Sequence, residues 1–383
     1  MPLIMLSALL HGAMGWRLVP DLETFAAWST GLWLLASSLL MPLALMARRW
    51  HVRPAVRAGL AWIGMGCLGL FSSLLVLTLV REALLLAAWL GLLVQPSLWP
   101  LPVIRAWSAS AVPLLALSIS LIGLWNARRT AAVVRVDVPI RDLPEALHGF
   151  SIAQISDVHV GPTIRRGYLQ AIVHRVNGLG ADMVAVTGDL VDGSVHELAA
   201  HVAPLAGLVS RHGTYFVTGN HEYYSGAPAW IAELRRLGVR VLMNEHVVLQ
   251  HDEAALLVAG VADHGAHHFE RSHRSDPQAA LHGAPADALV RVLLAHQPRS
   301  AAAAAQAGFH LQLSGHTHGG QFWPWSMFVR YQQPFTAGLH RLAGLWVYTS
   351  RGTGYWGPPK RFGAASEITH LRLMPDAPGP PAP

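Results

Sequence analysis

Cysteine is all but missing from this 383-residue chain. Cys67 stands alone, so no internal disulfide can form and a disulfide-stapled secreted fold is excluded. Charge is scarce as well. Asp, Glu, Lys and Arg make up 13% of the residues, against about a quarter in an ordinary soluble domain. Hydrophobic residues reach 52% and the mean hydropathy is +0.35, which points to a membrane portion. Acidic residues fall short of basic ones, 22 against 28, and the net charge of +6 comes from arginine rather than lysine. That balance suits an anionic lipid surface or a phosphorylated substrate and chooses neither. Histidine, by contrast, is abundant at 22 residues, which raises the expectation of metal ligation without locating it.

The composition changes near residue 128. Before it, stretches 25–46, 58–80 and 106–126 carry no charged residue. Each is about as long as a helix needs to cross a hydrocarbon core of about 30 Å. Residues 2–16 are apolar but short; no basic region precedes them and no clear cleavage site follows, so they read as a first span rather than a signal peptide. Residues 83–104 are also uncharged, but Pro96, Pro100 and Pro102 interrupt their second half. Only Arg81 and Glu82 separate them from the span before. They read as its extension, followed by an interfacial or re-entrant loop. The linker 47–57 holds Arg48, Arg49, Arg53 and Arg57, which marks it as cytoplasmic. Two further crossings return the chain to that side at Arg128 and Arg129. The expectation is a multi-pass membrane protein with a cytoplasmic C-terminal domain.

From about residue 148 short apolar runs read as strands, at 151–155, 183–186, 215–217, 255–261, 290–295, 311–313 and 346–348. Helical stretches lie between them, at 164–179, 196–209, 229–237 and 300–307, so the domain reads as α/β. The expected organisation is a transmembrane helical region at 1–128, an α/β domain at 148–374 and a disordered Pro/Ala/Gly tail at 375–383.

The residues just past the strand ends carry the chemistry. The run 151–155 leads into Ser156-Asp157-Val158-His159, and 183–186 into Thr187-Gly188-Asp189. The run 215–217 leads into Thr218-Gly219-Asn220-His221-Glu222, 290–295 into His296, and 311–313 into Ser314-Gly315-His316-Thr317-His318-Gly319-Gly320-Gln321. In open α/β sheets ligands gather beyond the carboxyl ends of the strands. Oxygen donors mixed with imidazole, without thiolate, suit Mn, Fe, Zn or a similar divalent ion. An aspartate between two cations can bridge them, and two ions about 3.5–4 Å apart can clamp a phosphoryl group and activate a water. A lone Asp or His at a strand end is usually a turn former; seven in one ordered pattern are not.

These ordered blocks resemble the calcineurin-like metallophosphoesterase superfamily, with a closer likeness to its membrane-linked bacterial branch. The likeness extends to Ser350-Arg351-Gly352-Thr353-Gly354 and to Arg361-Phe362-Gly363 before Glu367, and covers roughly residues 150–373. It implies a four-layer αββα sandwich, here preceded by an all-α transmembrane region of about four helices. It implies that Asp157, His159, Asp189 and His318 hold one divalent metal and that Asp189, Asn220, His296 and His316 hold a second, of Mn, Fe, Zn or Ni. His221 then faces the phosphate, Asn220 also contacts a phosphate oxygen, and Glu222 orients a neighbour. Arg351 and Arg361 are candidates for binding substrate phosphate, against the plainer role of ion-pairing arginines.

The reaction class so implied is hydrolysis of a phosphodiester or pyrophosphate by in-line attack of a metal-bridging hydroxide. Trp323, Trp325, Phe328, Tyr331, Phe335, Tyr355 and Trp356 suggest an apolar rim. The leading substrate is therefore lipid-linked, presented by the bilayer. One competing expectation is an enzyme for soluble esters with the helices only as an anchor. Another is a sensor or transporter regulated by the domain, against which stands the absence of charge in the three spans. No nucleic-acid partner is expected. Gly352-Thr353-Gly354-Tyr355-Trp356-Gly357 mimics a dinucleotide fingerprint, but Pro358 and Pro359 come next, where a helix is required.

Overall fold

The computed structural model describes residues 2–46, 53–95, 100–285 and 290–376. The chain forms two compact units, Met1–Arg128 with Gly357–Phe362, and Arg129–Trp356 with Gly363–Pro383.

The first unit contains four helices, α1 (Pro2–Leu18), α2 (Thr24–Met46), α3 (Pro54–Val94) and α4 (Leu101–Arg128), each long and apolar enough to cross a membrane. Leu9, Trp28, Leu114 and Trp125 point outward, as lipid-facing side chains do, while Met14, Leu34, Phe71, Leu74 and Val112 pack within. Residues 83–94 extend the preceding span, as expected, but the loop expected after them is shorter. Helix α3 continues to Val94, and α4 already begins at Leu101. Pro102 lies in its first turn, where a missing N–H costs nothing, so 101–104 is helix rather than loop; residues 96–99 lie outside the described residues.

The uncharged spans also hid a buried ion-pair cluster, because α3 runs on through Arg81 and Glu82. The Arg81 side chain is only 1% exposed and pairs with Asp21 and, at 3.0 Å, with Glu82. Asp21 is shared with Arg105 at 3.0 Å. The segment Gly357–Phe362 adds the chain's only lysine to this unit. Lys360 Nζ donates to the Gly69 carbonyl (2.8 Å) and to the hydroxyls of Ser73 (2.5 Å) and Ser120 (3.1 Å). It passes where Gly123 has no side chain: a Cβ there would lie 2.6 Å from Lys360 Cγ.

The second unit holds two six-stranded sheets. One has the order β1 (Ala132–Ile140), β12 (Glu367–Pro375), β2 (Ser151–Ile155), β3 (Met183–Val186), β4 (Thr214–Phe216), β5 (Arg240–Val241). The other has the order β10 (Gly338–Leu342), β11 (Leu345–Thr349), β9 (Leu311–Ser314), β8 (Val290–Leu294), β7 (Ala254–Gly260), β6 (Glu245–His251). Strands β2 to β5 run parallel, as do β7, β8, β9 and β11. Their connections include α5 (Arg166–Asn177), α6 (Val195–Val202), α7 (Asn220–Ser225), α8 (Ala227–Arg236) and α9 (Ala301–Gln306).

Alternate residues of a strand serve different layers. Leu256 and Val258 of β7, and Val290, Val292 and Leu294 of β8, join Ile152, Met183 and Ala185 of the facing sheet in the central core. Leu257, Ala259 and Leu293 pack instead against Ala301 and Ala304 of α9. On the other outer face α5 buries Leu169, Ile172, Val173 and Val176. The result is helix, sheet, sheet, helix.

The first strand begins at Ala132, upstream of the expected domain start near 148. Strands β1 and β12 pair in parallel over nine residues, yet both carry charges on exposed faces, among them Arg135, Asp137 and Arg372. A search for apolar runs therefore passes over them. Pro375 closes β12, and residues 377–383, most of the expected tail, lie outside the described residues.

Candidate metal centre

Five parallel strands end at one place. Asp157 and His159 follow β2, Asp189 and Asp192 follow β3, Asn220 and His221 begin α7 directly after β4, His296 follows β8, and His316 and His318 follow β9. The turns are sharp. Asp157, His159, Asp189, His316 and His318 all have positive φ, between 50° and 70°, a conformation that L-residues adopt at a cost and that clusters at functional sites. Crowding requires Gly315: a Cβ there would lie 2.0 Å from Ser156 Oγ and 2.2 Å from Asp157 Oδ2.

Three groups of ligand-type atoms converge, each with its members within 4.8 Å of one another: Asp157, His159 and His318; His159, Asp189 and His221; and Asp189, His296 and His316. Asp189 thus belongs to two groups, together with imidazoles from opposite sides. His296 Nε2 lies 3.2 Å and His159 Nε2 3.8 Å from its Oδ2. His318 Nε2 is 3.4 Å from Asp157 Oδ1 and 3.1 Å from His159 Nε2. His316 Nδ1 is 3.2 Å from His296 Nε2.

These donors fit divalent cations on structural grounds. The Nδ1–H of His296 donates to the Thr187 carbonyl at 2.7 Å, which leaves the Nε2 lone pair facing the centre, the usual arrangement of a metal-binding histidine. Asn220 Oδ1 is buried and accepts no hydrogen bond; a buried acceptor left so is costly unless a cation satisfies it.

The electrostatics agree. Burial opposes ionisation of Asp189, yet the neighbouring His296, with charge and hydrogen bond, holds its carboxyl well below the ordinary carboxylate range. His296 is raised in return against the same burial. Burial pushes Asp157 upward, and it pushes His316 down to about 3 with help from the His296 charge. Buried negative charge of this kind calls for a cation beside it.

Two residues form a supporting layer. Glu222, fully buried, accepts hydrogen bonds from the backbone N–H groups of Asp189 (2.9 Å), Leu190 (2.8 Å) and Gly219 (2.7 Å). It fixes the turns that carry Asp189 and Asn220; burial and the Asp189 charge push it up to about 7. Asp192 escaped sequence reasoning. Its Oδ1 lies 2.5 Å from His221 Nδ1 and 3.2 Å from His159 Nδ1. Burial works against the His221 imidazolium, but the Asp192 hydrogen bond and the Asp189 charge push it up to about 9. Tyr224 and Trp356 stand edge-on to the His221 ring, at 5.2 and 5.8 Å between centroids.

The two arginines are placed differently. Arg351 Nη1 pairs with Glu367 at 3.1 Å while 42% of its side chain is exposed. Arg361 is fully buried, its N–H donating to the Gly123 carbonyl and its own carbonyl accepting from Asn126 Nδ2.

A model of the calcineurin-like phosphoesterase family matches residues 150–320. The chain is 42% identical over 268 residues to a transmembrane protein with a metallophosphoesterase domain from Bos taurus, covering 67% of this chain and 60% of that protein. An uncharacterized metallophosphoesterase of Campylobacter jejuni is 34% identical over 264 residues, covering 68% of each chain. Another from Aquifex aeolicus is 32% identical over 243 residues, covering 63% of this chain and 91% of that one. The match thus spans only 60% of the bovine relative, and the relatives are not confined to bacteria. Taken with the strand-end ligands, they show that this chain belongs to the calcineurin-like metallophosphoesterase family.

Proposed function

We propose that the chain hydrolyses a phosphodiester or pyrophosphate bond in a lipid-linked substrate, at a centre of two divalent cations that share Asp189. The observation that carries this reading is the membership of Asp189 in two ligand groups at once. Asp157, His159 and His318 would complete one cation site with it; Asn220, His296 and His316 would complete the other. Bound there, the ions would supply Lewis acidity toward the phosphoryl oxygens and an activated water.

The protein's own groups do the rest. With Nδ1 engaged by Asp192, His221 presents Nε2, which lies 3.9 Å from Asp189 Oδ2. A proton held on Nε2 can pass to the leaving oxygen or steady the charge that develops there. The exposed part of Arg351 suits a substrate phosphate better than the buried Arg361 does. Four apolar helices hold the domain at a bilayer, on the cytoplasmic side by the arginine bias, which favours a lipid over a soluble ester.

The test is metal analysis of purified protein combined with turnover on a panel of esters. The expected result is metal-dependent hydrolysis, greater on detergent-dispersed phospholipid or lipid pyrophosphate than on nitrophenyl phosphodiesters, with metal and activity lost in Asp189→Asn. Preference for the soluble esters would assign the helices an anchoring role alone.

A further inference from the structure

Directly after the ligand turn His316–Gly320 the chain exposes Trp323, Trp325, Met327, Phe328 and Tyr331 within nine residues. The outermost, Tyr331, is 76% exposed. This is no scatter of single surface residues. Trp325, Phe328 and Tyr331 form a chain of ring contacts at 6.0 and 6.4 Å, and Arg330 lies over the Tyr331 ring. An apolar patch of this kind on a folded domain marks an interaction surface.

The segment is fastened to the metal centre. Gly320 passes so close to it that a Cβ would lie 2.1 Å from Ser326 Cα. Phe322 bridges to Gly363, and Gln321 exchanges two 2.8 Å hydrogen bonds with the backbone of Trp356, whose ring stands against His221. At its far end the Arg299 guanidinium grips the Gln332 carbonyl at 2.5 and 2.8 Å.

Charge selects the occupant. Between Asp287 and Glu367 the sequence has no acidic residue but seven Arg and Lys, and Arg299, Arg330 and Arg341 are exposed. Trp and Tyr beside arginine, without carboxylates, is the chemistry of a bilayer headgroup region carrying anionic lipid. Four helices of the same chain are long and apolar enough to anchor it in such a bilayer.

We infer that Trp323–Tyr331 is a membrane-inserting loop that seats in the headgroup region of anionic phospholipid and holds the adjacent metal centre at the lipid surface. The inference rests on membrane anchoring and not on the identity of the substrate, so its test omits turnover. Full-length protein carrying Cys67→Ala and Phe328→Cys would bear an environment-sensitive fluorophore at residue 328, in nanodiscs of phosphatidylcholine with about 30% phosphatidylglycerol. Lipids spin-labelled at the headgroup or mid-chain would serve as quenchers. The control label sits at Asp252→Cys, in the β6–β7 turn at the opposite ends of the strands.

Headgroup-labelled lipid is expected to quench residue 328 about two-fold or more over residue 252, with less quenching when phosphatidylglycerol is omitted. Equal quenching at the two positions overturns the inference. Energy transfer between labels on two chains, without quenching by lipid, assigns the patch to a second copy and also overturns it. Should the label at 328 disturb the loop, Tyr331→Cys repeats the measurement.

Discussion

One carboxylate orients two neighbouring imidazoles of the candidate metal centre: Asp192 Oδ1 stands 2.5 Å from His221 Nδ1 and 3.2 Å from His159 Nδ1, and the two rings meet edge to face with centroids 4.6 Å apart. Each ring is thereby turned so that Nε2 faces Asp189. Asp192 itself belongs to none of the three ligand groups and acts through the two rings, so it is a positioning residue.

Asp192→Ala is therefore expected to lower metal affinity or kcat by about 10- to 100-fold while the far-ultraviolet circular dichroism stays unchanged. Asp192→Asn keeps one hydrogen bond and should lie between. Steady-state kinetics beside inductively coupled plasma analysis separates loss of metal from loss of His221 alignment. Activity within two-fold of wild type would remove Asp192 from the mechanism.

Chelation should destabilise the second unit as well as inactivate it. A ligand that binds only the folded state adds about 3 kcal/mol at a free concentration near 100 Kd. The melting temperature of full-length protein in detergent is expected to fall on dialysis against a chelator and to recover with Mn or Zn. In Asp189→Asn the two melting curves should nearly coincide.

Gly315 tests the crowding around Asp157. A methyl group at this position meets Ser156 Oγ at 2.0 Å and Asp157 Oδ2 at 2.2 Å, and overpacking of this sort costs about 1–3 kcal/mol. Gly315→Ala should lose metal occupancy and stability together. Gly344→Ala, with nothing within 4 Å of the new atom, should behave as wild type.

Lys360 offers a chemical readout, being the chain's only lysine. Buried at 2% exposure with three acceptors around Nζ, it should resist amine-reactive reagents in folded protein and react once the helices unfold. Lys360→Met leaves the Ser73 and Ser120 hydroxyls and the Gly69 carbonyl to find other partners, at about 1–3 kcal/mol. Truncation at Arg135 removes all three acceptors. The melting temperature of the truncated chain should fall, and its Lys360 should become reactive under native conditions.

Much of this architecture is legible along the chain. Hydrophobic length identifies a membrane helix because the bilayer sets a minimum span, so α2, α3 and α4 announced themselves, whereas α1 is short and is read from its flanks. The central strands did the same: β3 is buried on both faces and reads as an unbroken apolar run, and β2 and β8 are mostly apolar, interrupted by Gln154 and Arg291. Strands β1 and β12 were illegible to that criterion because their outer faces meet water. Pro102 misled because a proline that breaks a helix interior is well tolerated in a first turn. Asp192 had no signal of its own: one aspartate in Val191-Asp192-Gly193 looks like any turn residue.

The sequence by itself determined the identities and order of the candidate ligand side chains, the family they belong to, and the apolar lengths sufficient to span a bilayer. These depend on residue type and local spacing, and both are written along the chain. Tertiary structure alone decided that Asp189 serves two candidate ligand groups, that Asp192 turns two histidines, and that the only lysine lies among helix residues 240 to 291 positions before it in sequence. Such relations come from packing between distant segments, where separation along the chain carries no information about distance in space.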